Sequence, residues 1–402
     1  MEKNILENGL TVLYDKRNTD SVSVEASVSV GSINEPKALS GISHYIEHML
    51  FEGTKKRPDA RRISYEIESV GGELNAETSY ESTSYFVKIP KKYFTLAVDV
   101  LSDLMTNPLL KEETFEKERH VILDEIKLIH DNPRFYQLLL FKKALYPDHQ
   151  LGSPPVGSIE TVSGITREDI IGYYQKHYVP ENMVVSVVGD VGDPLPVVRK
   201  AYERMQPGTG RSESVKPVKA RRPYRLVEEK DTGQSYMIFG YDTVPRSDPD
   251  SYALDLVEAI LGRGMSGWLM DELRTKRGLA YDVGVEHSAG VNYGIFFSNV
   301  STQKANLPEV ETVIRECLER IKTVNEKQLE SAKDYVQGSF LLQNEDTLRR
   351  ASTLRYLNTA AQLETTEDYV KKVREVTLED LKKTTTEHLN KDYTIAILKQ
   401  KD

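Results

Sequence analysis

His44, Glu47 and His48 fall within one five-residue run, His44-Tyr45-Ile46-Glu47-His48. On a helix, residues four apart stand one above the other on the same face, so both imidazoles can address a single ion. Glu47 stays beside that face, within reach of a water held by the ion. Neutral imidazole suits zinc, and a catalytic zinc site usually has three protein ligands plus water. The pentapeptide has a second reading. A histidine pair on an amphipathic helix can simply be a solvated or hydrogen-bonded face. A third donor would decide between the two.

A glutamate-rich segment offers candidates. Residues 111–130 read KEETFEKERHVILDEIKLIH. The apolar positions Phe115, Val121, Ile122, Ile126 and Ile129 predict a helix with a buried stripe. Glu118 and Glu125 are seven residues apart, close to two turns, so they share a face. Either carboxylate could reach an ion held by another helix. Equally, both could belong to a solvated face with lysine partners.

The order H-x-x-E-H is that of the inverted zincin motif. The longer run HYIEHMLFEGTKK resembles the signature of the pitrilysin/insulysin family of zinc peptidases, which includes the mitochondrial processing peptidases and their bacterial relatives. The resemblance implies one Zn²⁺ per chain, held by His44, His48 and a glutamate separated from the second histidine by 76 residues, which here is Glu125. It implies that Glu118 supports a ligand histidine and that Glu47 is the general base. The run GGELNA, ending in Asn75 and Ala76, reads by itself as a turn leading into a strand. The resemblance makes it the strand bordering the cleft, where a substrate backbone adds to an open sheet edge. In LRTKRGLAY, Arg274 and Tyr281 match the family's substrate-contacting arginine/tyrosine pair, with Arg277 a neighbouring competitor. Arg263 and Trp268, just before, depart from the smaller or differently shaped residues expected there.

The implied activity is a zinc endopeptidase that hydrolyses short, unfolded peptides. Double-length relatives enclose a chamber with four domains. This chain has material for two, so the resemblance implies a homodimer. A non-catalytic peptide-binding or assembly subunit is the other reading. Such relatives commonly lack one of the three ligands or the base, and all four residues are present in this sequence.

The elements that must position these residues alternate in kind. Strands are expected at Leu10–Asp15 and Ser21–Val30, both alternating apolar with small or polar residues as half-buried strands do. Helices follow at 41–51 and 59–70, strands at 73–78 and 83–89, helices at 93–105 and 111–130, and a strand at 182–188. The second half repeats this order, from a strand at 234–241 through a helix at 252–261, strands at 281–286 and 293–300 and a helix at 307–324 to a strand at 393–398. The expectation is an α+β chain of two duplicated domains, 1–205 and 224–402, each an antiparallel or mixed sheet packed with helices. The Pro- and Gly-containing run 206–223 is the expected linker.

Composition narrows the partners. The chain has 402 residues, 53 basic against 62 acidic, and net charge −9. That balance argues against nucleic acid or an anionic membrane surface as a partner. The single cysteine, Cys317, reads as a small apolar filler on a helix and fits a reducing compartment. The N-terminal residues resemble neither a secretory signal nor a transit peptide, so the expected location is the cytoplasm.

Overall fold

Residues 1–208, 224–389 and 392–401 are described by a computed structural model of the chain. Its first sheet has six strands: β1 (Glu2–Ile5), β2 (Thr11–Asp15), β3 (Ser21–Val28), β4 (Glu73–Thr78), β5 (Thr83–Pro90) and β6 (Met183–Val188). They lie in the order β1-β2-β6-β3-β5-β4. β2 and β6 run parallel, and the other neighbours run antiparallel. The second sheet contains β7 (Tyr224–Lys230), β8 (Ser235–Thr243), β9 (Ala280–Ala289), β10 (Gly294–Thr302) and β11 (Thr394–Gln400). Its order is β7-β11-β8-β10-β9, with β7 and β11 parallel and the rest antiparallel. Without β1, the two sheets share one order and one polarity. The fold is therefore α+β and duplicated, with two mixed sheets. The edge strands β1 and β7 were not anticipated from the sequence.

Five helices of the first half are α1 (Ile42–Phe51), α2 (Ala60–Glu68), α3 (Phe94–Thr106), α4 (Glu112–Asp131) and α5 (Pro133–Leu145). After α1 the chain turns through Gly53 and locks on a buried cation. Arg57 is 4% exposed and donates to Asp103 of α3 at 3.0 Å, to Asp99 at 2.7 Å and to Glu66 of α2 at 2.8 Å. The Thr54 hydroxyl also donates to Asp103. These contacts tie α2 and α3 to the end of α1.

The chain forms two compact units that are not contiguous in sequence. One contains residues 1–128, 153–208 and 343–356, and the other 129–152, 224–342 and 357–401. The division at 1–205 and 224–402 leaves two helical segments, 129–152 and 343–356, in the opposite half. The expected linker, 206–223, lies outside the described residues from 209 onward.

The first of these segments brings α5 onto β11, β8 and β7. Phe141 of α5 sits 5.7 Å from Phe297 of β10, centroid to centroid. Gly240 makes room for it, since a Cβ there would lie 2.6 Å from the Phe141 ring. The second segment brings the helix Thr347–Tyr356 onto β3 and β6. It changes the reading of β3. The alternation of Ser21–Val28 suggested one solvated face, yet every residue after Ser21 is buried. The polar face is covered by a polar helix. Ser23 and Thr347 share a hydroxyl hydrogen bond of 2.8 Å, Arg355 donates to Glu25 at 2.6 Å, and Arg350 pairs with Asp15 of β2. Among the described residues, no helix is long and apolar enough to cross a membrane.

Glu25 is 1% exposed. Burial pushes its carboxyl up, but Arg355 and the hydroxyls of Ser352 and Ser27 outweigh this and hold it below its ordinary value. Arg355→Ala strands that charge and should lower stability by about 3–5 kcal/mol at neutral pH. A group with a depressed folded pKa stabilises above its unfolded value, about 4.3, and loses that contribution as pH falls through the folded one. The deficit should therefore shrink in acid. Urea unfolding followed by circular dichroism checks both; an unchanged midpoint at neutral pH would contradict the assignment.

Candidate metal centre

α1 is preceded by Gly41, whose φ of 98° places it in the left-handed region. Any Cβ there would meet the Val156 carbonyl at 2.8 Å, so glycine is required on two counts. With no side chain at the cap position, the buried Glu35 supplies the acceptor. Its two carboxylate oxygens take the N–H groups of Gly41 at 2.7 Å and Ser43 at 2.8 Å. Ile42, Tyr45, Ile46, Met49 and Leu50 are all 0% exposed. This apolar stripe turns His44, Glu47 and His48 to the opposite side.

α4 is held against that side. Phe115 stacks on Tyr45 with centroids 5.0 Å apart, and the Tyr45 hydroxyl donates to the Phe115 carbonyl at 2.6 Å. Of the expected stripe on α4, Phe115, Ile122 and Ile126 are buried. Val121 is 44% exposed, because it projects about 100° around the helix from Ile122. Its place in the stripe is taken by Glu118, which is 6% exposed.

The structure brings His44, His48 and Glu125 together. Glu125 Oε2 lies 3.6 Å from His44 Nε2 and 3.7 Å from His48 Nε2. One ligand atom from each of the three lies within 4.8 Å of the others. Bonds of about 2.0–2.2 Å in a tetrahedral zinc site separate ligand atoms by roughly 3.3–3.6 Å. The three side chains thus fit a zinc ion with little movement. Glu118 Oε2 is 3.0 Å from His48 Nδ1, and Lys117 holds its other oxygen at 3.2 Å. That contact occupies Nδ1 and leaves Nε2 to face Glu125. His44 Nδ1 is buried with no hydrogen-bond partner.

Three carboxylates, Glu47, Glu118 and Glu125, face two imidazoles. Burial, with His48 nearby, pushes His44 down to about 4. Burial also opposes the charged form of His48, but its hydrogen bonds to Glu118 and Glu125 carry it up to about 9. Glu125 is held below its ordinary value mainly by the His48 hydrogen bond. A proton on His48 is thus the site's own answer to an excess of negative charge. A divalent cation would answer it more fully.

Glu47 is pushed up by burial, with a hydrogen bond from Thr78 opposing. The Thr78 hydroxyl donates to Glu47 Oε2 at 2.5 Å. Nothing in the sequence motif pointed to Thr78. The signal available was parity, since Thr78 shares a face of β4 with Ala76 and Leu74, the face turned to α1. β4 is an edge strand. Asn75 is exposed on it, and its Oδ1 accepts the Ala76 N–H at 2.9 Å.

In the second unit, the Arg274 guanidinium lies 5.0 Å from the Tyr281 ring centroid, and Tyr281 is 70% exposed. Arg277 is drawn away into ion pairs with Glu316 at 3.3 Å and Glu309 at 3.7 Å. Arg274 forms no ion pair among the described residues, so it is the arginine paired with Tyr281. Trp268 packs against the core beneath Arg320, whose guanidinium is 4.1 Å from its ring, and Arg263 donates to Ser331 at 2.8 Å.

Residues 10–157 match the family profile described as insulinase (peptidase family M16), and residues 164–336 match the one described as peptidase M16 inactive domain. An uncharacterized zinc protease of Streptomyces coelicolor is 34% identical over 330 residues, covering 79% of this chain and 71% of the relative. One from Bacillus subtilis is 29% identical over 404 residues, covering 98% and 96%. Among solved structures, a protease from Helicobacter pylori superposes with a TM-score of 0.92 at 25% identity, covering 99% of each chain. A Pseudomonas fluorescens structure described as a peptidase M16 inactive domain shares the fold, with a TM-score of 0.90 at 21% identity over 100% and 98% of the two chains. The chain belongs to the insulinase family of peptidases, whose relatives bear the name zinc protease.

Proposed function

We propose that this chain is a zinc-dependent endopeptidase acting on short, unstructured peptides. The observation carrying this reading is that a carboxylate from α4 meets both imidazoles of α1, with Glu47 one residue away from a ligand. His44, His48 and Glu125 would hold one zinc ion, and Glu118 would orient His48. Zinc, when bound, supplies a Lewis acid that acidifies a water and polarises the scissile carbonyl. Glu47 accepts the proton of the attacking water and returns it to the leaving amine. Its partly buried carboxylate suits that task, because burial raises its basicity while Thr78 keeps one oxygen oriented. Asn75 and Ala76 lie on an open sheet edge, to which an extended peptide could add as a further strand. Tyr281 and Arg274 present a hydroxyl and a guanidinium for the substrate carbonyl or backbone.

The family resemblance supports a homodimer, in which the zinc-bearing unit of one copy serves with the Arg274/Tyr281 unit of the other. A chamber built that way would admit extended peptides and exclude folded proteins. A non-catalytic peptide-binding or assembly role is the competing reading, and metal-dependent cleavage separates the two.

Glu47→Gln should retain zinc and lose about 10²–10⁴-fold in turnover. Peptide cleavage with and without chelator, read by mass spectrometry, tests this; a Glu47→Gln protein as active as the parent would remove the mechanism. His48→Ala and Glu125→Ala should lose the metal itself, and Glu118→Gln should weaken zinc binding about 10–100-fold. Atomic absorption and chelator competition measure these. Equal zinc content in parent and Glu125→Ala would dismiss Glu125 as a ligand.

Zinc uptake should also release protons in a defined number. In the metal-free protein His44, at about 4, is already neutral at pH 7, whereas His48, at about 9, carries a proton that zinc must displace. About one proton should therefore leave per zinc near neutrality, and affinity should weaken by up to about tenfold per pH unit below His48's value. Calorimetry in buffers of different ionisation enthalpy counts the protons. A count near zero would mean that His48 is not the protonated ligand.

A further inference from the structure

Building on the peptidase reading, we infer that Thr78 is the positioning residue for Glu47 and couples the base to the edge strand β4. Glu47 leaves α1 on a flexible side chain, and the packing of α1 does not by itself choose its rotamer. Among the described residues, its carboxylate has one hydrogen-bond partner, the Thr78 hydroxyl at 2.5 Å. That bond occupies Oε2 and leaves Oε1 for water. The donor is itself held. Thr78 pairs with Thr83 of β5, and the buried Thr83 hydroxyl donates to the Val30 carbonyl at 3.0 Å. A β-branched side chain on a strand also has few χ1 choices. Thr78 stands two residues beyond Ala76 on the α1-facing side of β4, whereas Glu73, Asn75 and Glu77 are exposed on the other. One strand therefore carries both the open edge and the donor that aims the base.

The isosteric Thr78→Val removes the donor while keeping the shape. In the full-length, zinc-loaded protein acting on an unstructured fluorogenic peptide, it should lower kcat about 10–100-fold, the range expected for one hydrogen bond to a charged group. KM should stay within about twofold, since the hydroxyl acts on the base and not on substrate binding. Zinc affinity, read by chelator competition, should not change. Thr78→Ser should recover turnover to within about threefold of the parent, because it restores the donor. In a Glu47→Ala background, Thr78→Val should cost nothing further, as residues acting through one another are non-additive. A Thr78→Val protein with the parent's kcat, a serine variant as slow as valine, or an undiminished loss in the Glu47→Ala background would each overturn the inference. A zinc-loaded parent that cleaves no peptide would instead remove the peptidase reading, a result seen before any Thr78 variant is compared.

Discussion

Two imidazoles one turn apart on a helix can offer a divalent cation two donors, and a catalytic zinc needs a third. In this chain the candidate for the third is Glu125, which lies on a different helix. The site therefore depends on α4 lying against α1 at ligand range. Tyr45 and Phe115 provide that contact twice, through stacked rings and through the hydroxyl-to-carbonyl hydrogen bond. Glu118 adds a direct link to His48 two turns before Glu125. Glu35 at one end of α1 and the Arg57 cluster at the other keep the helix itself from shifting.

Charge explains why this geometry suits a cation. In the first unit, three carboxylates crowd around two imidazoles. The second unit has the same sheet order, and its helix Asp250–Gly262 follows β8 as α1 follows β3. One of its acidic residues, Asp255, is 7% exposed, but Arg246 binds both its oxygens, at 2.7 and 2.9 Å. His287 Nδ1 at 2.7 Å and the Tyr369 hydroxyl at 2.9 Å complete the shell. Arg246 and these donors overcome the burial that opposes ionisation and hold Asp255 well below the usual carboxylate range. A protein-borne cation satisfies the second unit from within. In the first unit, Glu125 instead faces the two imidazoles His44 and His48, three groups that could hold a metal ion.

Local periodicity made part of the candidate site legible, while the choice of Glu125 as third donor and of the Arg274/Tyr281 pair came from the family resemblance. The i, i+4 histidines and the seven-residue spacing of Glu118 and Glu125 each predict a shared helix face. Val121 shows the limit of reading apolar positions without the angle between them. Thr78 was not legible, because a threonine two residues past Ala76 has no distinguishing type. Its importance arises from the packing of β4 on α1, which no spacing encodes.

The sequence by itself determined the periodic elements, the two-fold repetition of their order and the residue types able to bind an ion. Those are properties of short segments, set by side-chain spacing and turn chemistry. Tertiary structure decided the rest: that 129–152 and 343–356 each serve the opposite half's sheet, that the polar face of β3 is buried, and that Arg274 and not Arg277 meets Tyr281. These outcomes rest on contacts between segments up to hundreds of residues apart. Polar alternation looks the same whether water or a matching polar helix covers it, so only the folded chain can distinguish them.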